Sequence, residues 1–138
     1  MQKAIAPEIS TWPDEGFQLR GSRCRACGET QFPVQALCPH CSGREMEDVL
    51  LPRQGTIVAW TTQEFIPSFP YIGTESAKDF KPFAVALVQL GDAVRVEGRL
   101  TETDFDAIDF GDEVELTMVP FATDDEGNDI LTYAFSAI

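Results

Sequence analysis

The chain has 138 residues and carries 23 Asp and Glu against 10 Lys and Arg, which gives a formal net charge of −13. Because nucleic-acid affinity rests on cations that neutralise phosphates, this balance argues against a nucleic-acid-binding protein. No window holds about 18 consecutive apolar residues, which excludes a membrane-spanning helix.

The N-terminal stretch MQKAIAPEIS lacks the apolar segment of a signal peptide, so we expect a cytoplasmic protein without a membrane partner. The acidic surface either keeps the protein soluble or steers a basic protein partner, and both interpretations stay open. The length suits one domain or two small modules. We divide the chain into an N-terminal arm at residues 1–22, a cysteine module at 23–46 and an all-β domain at 47–138.

The cysteine module holds all four cysteines of the chain and its only histidine. The cysteines form two Cys-x2-Cys pairs separated by ten residues, namely Cys24, Cys27, Cys38 and Cys41. Two such pairs place four thiolates at the corners of a tetrahedron, the geometry that Zn²⁺ takes in closed structural sites. We therefore expect a zinc ribbon with one structural ion on four thiolates, and we expect His40 to face solvent.

Two alternatives to structural zinc stay open from the spacing. A rubredoxin-like iron site uses the same four ligands. The sequence CPHC also occurs as an active-site dithiol, but there it opens a helix in a βαβ unit, and no βαβ pattern surrounds it here. The Cys-x2-Cys pair just upstream favours a metal site over a redox centre.

Five stretches of residues 47–138 predict β-strands from period-two alternation or from β-branched and aromatic content. They are Gly55–Phe65, Pro82–Leu90, Val94–Leu100, Glu113–Val119 and Asp129–Phe135. The second is an unbroken apolar run, PFAVALVQL, which predicts a strand buried on both faces. The last three alternate, so each predicts one face in a core and one toward solvent.

Turns and one helix are predicted between these strands. Gly91–Asp92 and Asp124–Asn128 predict tight turns. The stretch TETDFDAIDFGDE predicts a short helix, capped by Thr101 or Thr103 and ended by Gly111. Five strands with a helix between the third and fourth are typical of an OB-type barrel.

A long connection, IPSFPYIGTESAKDFK, follows the first of these strands. Connections above about 12–15 residues are usually functional or mobile. The aromatic residues in and beside it are Phe65, Phe69, Tyr71 and Phe80. Large aromatic side chains anchor interfaces, so we predict that these four contact a partner or an acyl chain. The alternative that some of them simply close the barrel end stays open.

The sequence outside the cysteine module offers no catalytic constellation. The only histidine, His40, lies between two cysteines, so no Ser–His or free Cys–His pair is available. A closed four-thiolate site has no open position for water or substrate. The carboxylates between Asp104 and Glu113 are interpreted as a solvated loop. We predict a binding or scaffold protein that is not catalytic by itself.

The order of the motifs resembles a known family. A ribbon of the form CRxCG…FP…CPxC is followed by GTIVAWT, KPFAVALVQL, VRVEGRLTE, FGDEVEL and a final TYAF. From about Phe17 to Phe135, this order resembles the zinc-ribbon/OB-fold acyl-CoA-associated proteins, known as domain of unknown function thirty-five. The resemblance implies a mainly β fold, in which an N-terminal rubredoxin-like zinc ribbon precedes a five-stranded OB-fold barrel.

The resemblance also implies a function. Members are non-catalytic accessory subunits of thiolase-superfamily enzymes, whose catalytic subunit supplies the reactive cysteine and histidines. The small subunit is needed for assembly and is expected to line the acyl-CoA site, so a CoA ester is bound together with the partner. We expect a heterotetramer of two small and two large subunits. The stretches VRVEGRLTE and FIPSFPYIG resemble the sequences of members that act on bulky, aromatic or steroid-like acyl-CoA substrates.

Three ribbon arginines are candidates for contact with CoA or the partner. The resemblance implies that Arg20, Arg23 or Arg25 faces the CoA phosphates or an acidic partner patch, although ordinary ribbon surface is the alternative. The N-terminal helix of many members is short or absent in this sequence, so a CoA contact from that helix is not expected.

Three functional alternatives remain. Thiolysis of a 3-oxoacyl-CoA is favoured over retro-aldol cleavage of a 3-hydroxyacyl-CoA, and both stay open because the deciding residues belong to the partner. A stand-alone acyl-CoA carrier is the further alternative, and it would bind CoA esters without a partner. A nucleic-acid-binding ribbon and OB fold is disfavoured by the charge.

Overall fold

A computed structural model describes residues 2–64, 81–91 and 94–138 of the chain. Within these ranges the chain forms strands and two short 3-10 helices, Pro7–Ile9 and Phe105–Ala107. The strands are β1 (Gln2–Ala4), β2 (Arg20–Cys24), β3 (Thr30–Gln31), β4 (Met46–Leu50), β5 (Gln54–Gln63), β6 (Phe83–Leu90), β7 (Val94–Leu100), β8 (Glu113–Thr123) and β9 (Asp129–Ala137). No helix in the described part of the chain is long and apolar enough to cross a membrane.

Strands β5 to β9 form a closed barrel. Their order is β9-β7-β6-β5-β8, and β8 pairs with β9 along nearly its whole length to close the sheet. Most pairs are antiparallel, but the pair of β7 and β9 is parallel. The predicted mainly β fold with a five-stranded barrel is confirmed. Closure leaves few unpaired strand edges within this sheet.

The barrel interior is packed around Phe135, which is fully buried on β9. A Cβ atom at Gly98 on β7 would lie 2.6 Å from Cε2 of Phe135. Glycine is therefore needed where β7 passes over this ring. Strand β6 contributes alternating small and branched side chains to the interior, Ala84, Ala86, Val88 and Leu90.

The outer face of β6 differs from the prediction. The unbroken apolar run predicted burial on both faces, but residues of the outer face such as Phe83 and Val85 are only half-buried. An antiparallel barrel places one face of each strand toward its core and the other outward. The apolar run alone therefore did not show that only one face of this strand is fully buried.

The predicted helix between β7 and β8 is replaced by one short 3-10 turn, Phe105–Ala107. Its cap is Asp104, whose side chain accepts a hydrogen bond from the Asp106 amide at 3.1 Å, and neither predicted threonine caps it. Asp side chains that bond nearby amides compete with helix formation, which explains the error. Ile108 follows the turn and is buried in the core.

The N-terminal arm is tied to the barrel. Strand β1 pairs in parallel with residues 129–131 of β9. The Lys3 ammonium lies 3.7 Å from an Asp124 carboxylate oxygen in the turn between β8 and β9. Leu19, just before β2, is fully buried in the main core cluster. The polar start of the chain thus completes the sheet and the core.

Among the described residues, aromatic packing and one arginine help to join the ribbon sheet, β3-β2-β4, and the arm to the barrel. The ring of Phe32 meets Tyr133 edge-on at 5.9 Å between centroids, and Tyr133 meets Phe135 edge-on at 6.2 Å. Arg53, between β4 and β5, donates to the carbonyl oxygens of Phe17 and Leu116 and covers the Phe17 ring. The ribbon is therefore held against the barrel by aromatic packing and by one guanidinium.

Candidate metal centre

Two similar turns carry the four cysteines. In the first, the Gly28 amide donates to the Cys24 carbonyl at 2.8 Å, and Gly28 has a φ of 82°. In the second, the Ser42 amide donates to the Cys38 carbonyl at 2.8 Å, and Ser42 has a φ of 63°. Each turn needs a residue in the left-handed region directly after its second cysteine. Gly28 fits this position freely, whereas Ser42 adopts a conformation uncommon for a side-chain-bearing residue.

The four cysteine sulfurs converge on one point. All four lie within 4.8 Å of one another, and the Cys24–Cys41 and Cys27–Cys38 pairs are each 3.6 Å apart. A tetrahedral zinc site with Zn–S bonds of about 2.3 Å needs sulfurs about 3.8 Å apart. The donor set and its spacing therefore fit a single four-thiolate zinc ion, as the sequence predicted.

Gly43 makes room for this cluster. A Cβ atom there would lie 3.2 Å from the Cys41 sulfur and 3.3 Å from the Cys24 sulfur. Cys24 and Cys38 are buried, whereas Cys27 and Cys41 are exposed. Two of the four candidate ligands are therefore shielded from solvent, and two lie at the protein surface.

The thiols influence one another strongly. The amide of Cys27 lowers the pKa of Cys24 to about 7. The amide of Glu29 also lowers the pKa of Cys27, but desolvation and the three neighbouring thiols outweigh it and raise that pKa to about 12. Four sulfurs this close cannot all ionise without a cation between them. A divalent ion held by the four cysteines would remove this repulsion, and its binding would release the remaining protons.

The three predicted ribbon arginines have different surroundings. Arg20 donates to the Ser10 carbonyl at 3.1 Å, and Arg25 lies 3.5 Å from a Glu47 carboxylate oxygen. Arg23 is exposed on β2, and among the described residues no hydrogen bond or ion pair to its side chain is found. Arg20 and Arg25, in contrast, are each engaged with another group of the chain. His40 is exposed, as predicted.

The structure does not test the four predicted aromatic contacts. Phe65, Phe69, Tyr71 and Phe80 all lie in residues 65–80, outside the described residues. The structure adds two exposed apolar residues that sequence reasoning missed, Val34 and Leu37, both in the loop between the two cysteine turns. The stretch FPVQAL could have revealed them, because a metal-binding turn does not itself require apolar residues.

Comparison with known proteins agrees with this architecture. A family model described as the ChsH2 rubredoxin-like zinc ribbon domain matches residues 17–47, and one described as the ChsH2 C-terminal OB-fold domain matches residues 48–119. A DUF35 domain-containing scaffold protein of Methanothermobacter thermautotrophicus is 32% identical over 131 residues, covering 92% of each chain. The chain belongs to the DUF35 family.

Other relatives of this DUF35 protein are named for enzyme complexes. The benzoylsuccinyl-CoA thiolase subunit BbsA of Geobacter metallireducens is 31% identical over 134 residues, covering 96% of this chain and 84% of that one. The solved structure described as Ltp2-ChsH2(DUF35) aldolase matches with a TM-score of 0.62 and 25% identity, covering 87% of this chain and 84% of that one. The family resemblance noted in the sequence is confirmed.

Proposed function

We propose that this DUF35 protein is a non-catalytic accessory subunit of a thiolase-type complex that cleaves or forms carbon–carbon bonds in acyl-CoA substrates. The observation that carries this proposal is the full-length similarity to a scaffold protein and to a thiolase subunit. The converging cysteines add support, because all the thiols of the chain lie in that one cluster. The catalytic groups then belong to a larger partner, in a heterotetramer of two small and two large subunits.

The proposed metal has a structural role. Cys24, Cys27, Cys38 and Cys41 hold one zinc ion, which stabilises the ribbon by joining its two turns. The ribbon in turn presents Arg23 on β2 and the loop between the turns. We keep Arg20 and Arg25 as weaker candidates for contact with CoA phosphates or the partner. Phe65, Phe69, Tyr71 and Phe80 remain predicted contacts of the partner or the acyl chain.

Two reactions are supported by different relatives. The thiolase subunit favours thiolysis of a 3-oxoacyl-CoA, and the word benzoylsuccinyl in its name supports a bulky aromatic substrate. The aldolase structure favours retro-aldol cleavage of a 3-hydroxyacyl-CoA. We place thiolysis first because BbsA proteins of two organisms are similar to this chain over 96% of its length.

Co-purification tests the proposal. The tagged chain is expressed in its native host, and the proteins that elute with it are identified and counted, with metal analysis of the same sample. We expect a thiolase-superfamily chain in equal amount and one zinc per small subunit. A chain that elutes alone and binds acyl-CoA by itself would contradict the subunit assignment and favour the carrier.

The purified complex then distinguishes the two reactions. One assay supplies 3-oxoacyl-CoA with free CoA, and the other supplies 3-hydroxyacyl-CoA alone. In the same complex, Arg23→Gln should raise the KM for the CoA-containing substrate without lowering kcat, since it removes a phosphate contact present throughout the reaction. Arg95→Gln, an exposed arginine on barrel strand β7, is the matched control and should leave KM unchanged.

A further inference from the structure

One exposed aromatic residue stands out in the connection between β7 and β8. This connection holds three large apolar residues, and two of them pack on the core, since Ile108 is 5% exposed and Phe105 lies against the same cluster. The third, Phe110, is 73% exposed, the highest value among the exposed large apolar residues of the described chain. The same short segment therefore buries two apolar side chains and presents one to solvent.

Phe110 is held out by a fixed turn. The Gly111 amide donates to the Ile57 carbonyl at 2.7 Å, and the Ile57 amide donates to the Asp112 carbonyl at 3.0 Å. The Asp112 carboxylate accepts from the Asp109 amide at 2.9 Å, and Gly111 has a φ of 86°. We call Asp109–Asp112 the Phe110 turn. Two backbone hydrogen bonds to Ile57 already fix this turn against β5. A partner that binds Phe110 would therefore lose little free energy to ordering the turn.

The C-terminal segment that contains the Phe110 turn carries only acidic charges. Residues 100–138 contain eleven Asp and Glu and no Lys, Arg or His. Asp106, Asp109 and Glu113 are exposed beside the turn, and their carboxylates cap no backbone amide there. A second copy of this chain would bring like charges together and is disfavoured. An occupant must offer apolar area to the ring and positive charge to the rim.

We infer that the Phe110 turn is a docking surface for the catalytic partner subunit, with Phe110 entering an apolar pocket ringed by Lys and Arg. This inference rests on the proposed function, because it names where the partner binds. A buried aromatic anchor supplies the main part of the affinity in such interfaces. The acidic rim speeds encounter with the basic pocket and fixes its orientation.

The first test removes the anchor. Binding of the tagged chain to the purified catalytic subunit that co-purifies with it is measured for wild type, Phe110→Ala and the control Ile5→Ala, an exposed apolar residue of the arm. We expect Phe110→Ala to weaken binding about 30-fold, as for truncation of a hot-spot residue. Ile5→Ala should bind as wild type does. Unchanged thermal unfolding of both variants shows that they are folded.

The second test removes the rim. The variant Asp106→Asn/Asp109→Asn/Glu113→Gln keeps the side chains that cap the turn and neutralises only the free carboxylates. Its matched control, Asp125→Asn/Glu126→Gln/Asp129→Asn, changes the net charge equally at the β8–β9 connection. We expect the association rate to fall about tenfold for the first variant at low salt and to match wild type at high salt. The control should change it much less.

The outcomes separate the two proposals. If a thiolase-type chain co-purifies but Phe110→Ala binds it as tightly as wild type, the docking surface is wrong and the subunit assignment stands. Equal loss of association rate in both charge variants would show a global charge effect and would also overturn the local surface. If no thiolase-type chain co-purifies, the proposed function fails and the docking surface fails with it.

Discussion

Gly98 illustrates how tightly single residues are specified inside the barrel. The Cβ atom of an alanine there would lie 2.6 Å from Phe135 and 3.1 Å from Tyr133. We predict that Gly98→Ala destabilises the protein by about 1–3 kcal/mol, as overpacking does, measured by urea unfolding. Phe135→Leu in the same background should recover part of the loss, because it relieves the contact. If the destabilisations by Gly98→Ala and Phe135→Leu simply added in the double variant, this explanation would be contradicted.

Tyr133 carries a second prediction at the residue scale. Its hydroxyl donates to the Glu97 carbonyl, and burial together with the Glu97 charge raises its pKa to about 12. An unfolded tyrosine ionises near pH 10. The stability contributed by the neutral phenol is therefore complete below pH 10 and is lost as the pH rises toward 12.

Absorbance of tyrosinate tests this shift directly. The chain has two tyrosines, so the difference between wild type and Tyr133→Phe isolates the titration of Tyr133. We expect the tyrosinate absorbance of Tyr133 to appear only near pH 12, as the protein unfolds. A midpoint near pH 10 in the folded protein would show that the phenol is not buried as described.

The four cysteines could be predicted from sequence because their chemistry depends on residue type and spacing alone. Arg53 could not, since its partners are the carbonyls of Phe17 and Leu116, and a carbonyl carries no sequence signature. Phe32 was visible only as part of the FP motif. Its edge-on contact with Tyr133 joins residues a hundred positions apart in the chain, which no local pattern reports.

At the scale of elements, Arg53 links the segment before the ribbon to the barrel. It bridges the arm and β8 through two carbonyls, and its Nε lies 3.6 Å from a Glu115 carboxylate oxygen. We predict that Arg53→Met costs about 1–3 kcal/mol in free energy of unfolding, because two partly buried carbonyls lose their donor. Arg53→Lys should recover only part, since an ammonium lacks the planar fork.

Arg95→Met is the matched control for this prediction. Among the described residues, Arg95 bonds the exposed side chain of Gln89, and exposed polar contacts contribute little. We expect its unfolding curve to overlay that of wild type within about 0.5 kcal/mol. Equal destabilisation by Arg53→Met and Arg95→Met would mean that Arg53 does not join the two modules.

Element type and order were the parts most open to prediction. Strand β7 was predicted with its observed bounds, because VRVEGRL alternates without interruption. The connection after it was predicted as a short helix because Thr101 or Thr103 could cap it and Gly111 could end it. The Asp104 side chain, which bonds the Asp106 amide locally, and the backbone bonds to Ile57 on β5 decided otherwise, and only the bonds to β5 depend on tertiary contacts.

At the scale of the whole molecule, zinc and barrel stability should separate. Most buried residues of the core cluster lie on β5–β9 and none lies on β2–β4, whereas the two cysteine turns of the ribbon meet at their four sulfurs. We predict that a strong chelator, or Cys24→Ser, abolishes the amide-exchange protection of β2–β4 and leaves that of β5–β9 in place. Zinc should restore protection in the chelated wild type but not in Cys24→Ser.

A different result would revise the role of the metal. If zinc-free protein keeps the protection of β2–β4, the ribbon is held by Phe32, Arg53 and Leu19 rather than by the ion. If protection of the barrel is lost as well, the two modules unfold as one unit. Val34→Ala, a surface change in the same loop, controls for general loosening and should leave zinc content unchanged.

Strand β9 pairs with β1, β7 and β8, and all three precede it in the chain. During synthesis, therefore, no closed barrel can exist until residues 129–137 have left the ribosome. The cysteines, between Cys24 and Cys41, emerge far earlier and have all their partners close at hand. We expect the nascent chain to bind metal while the sheet β7-β6-β5-β8 still has open edges on β7 and β8, which is the stage at which it is most exposed to aggregation.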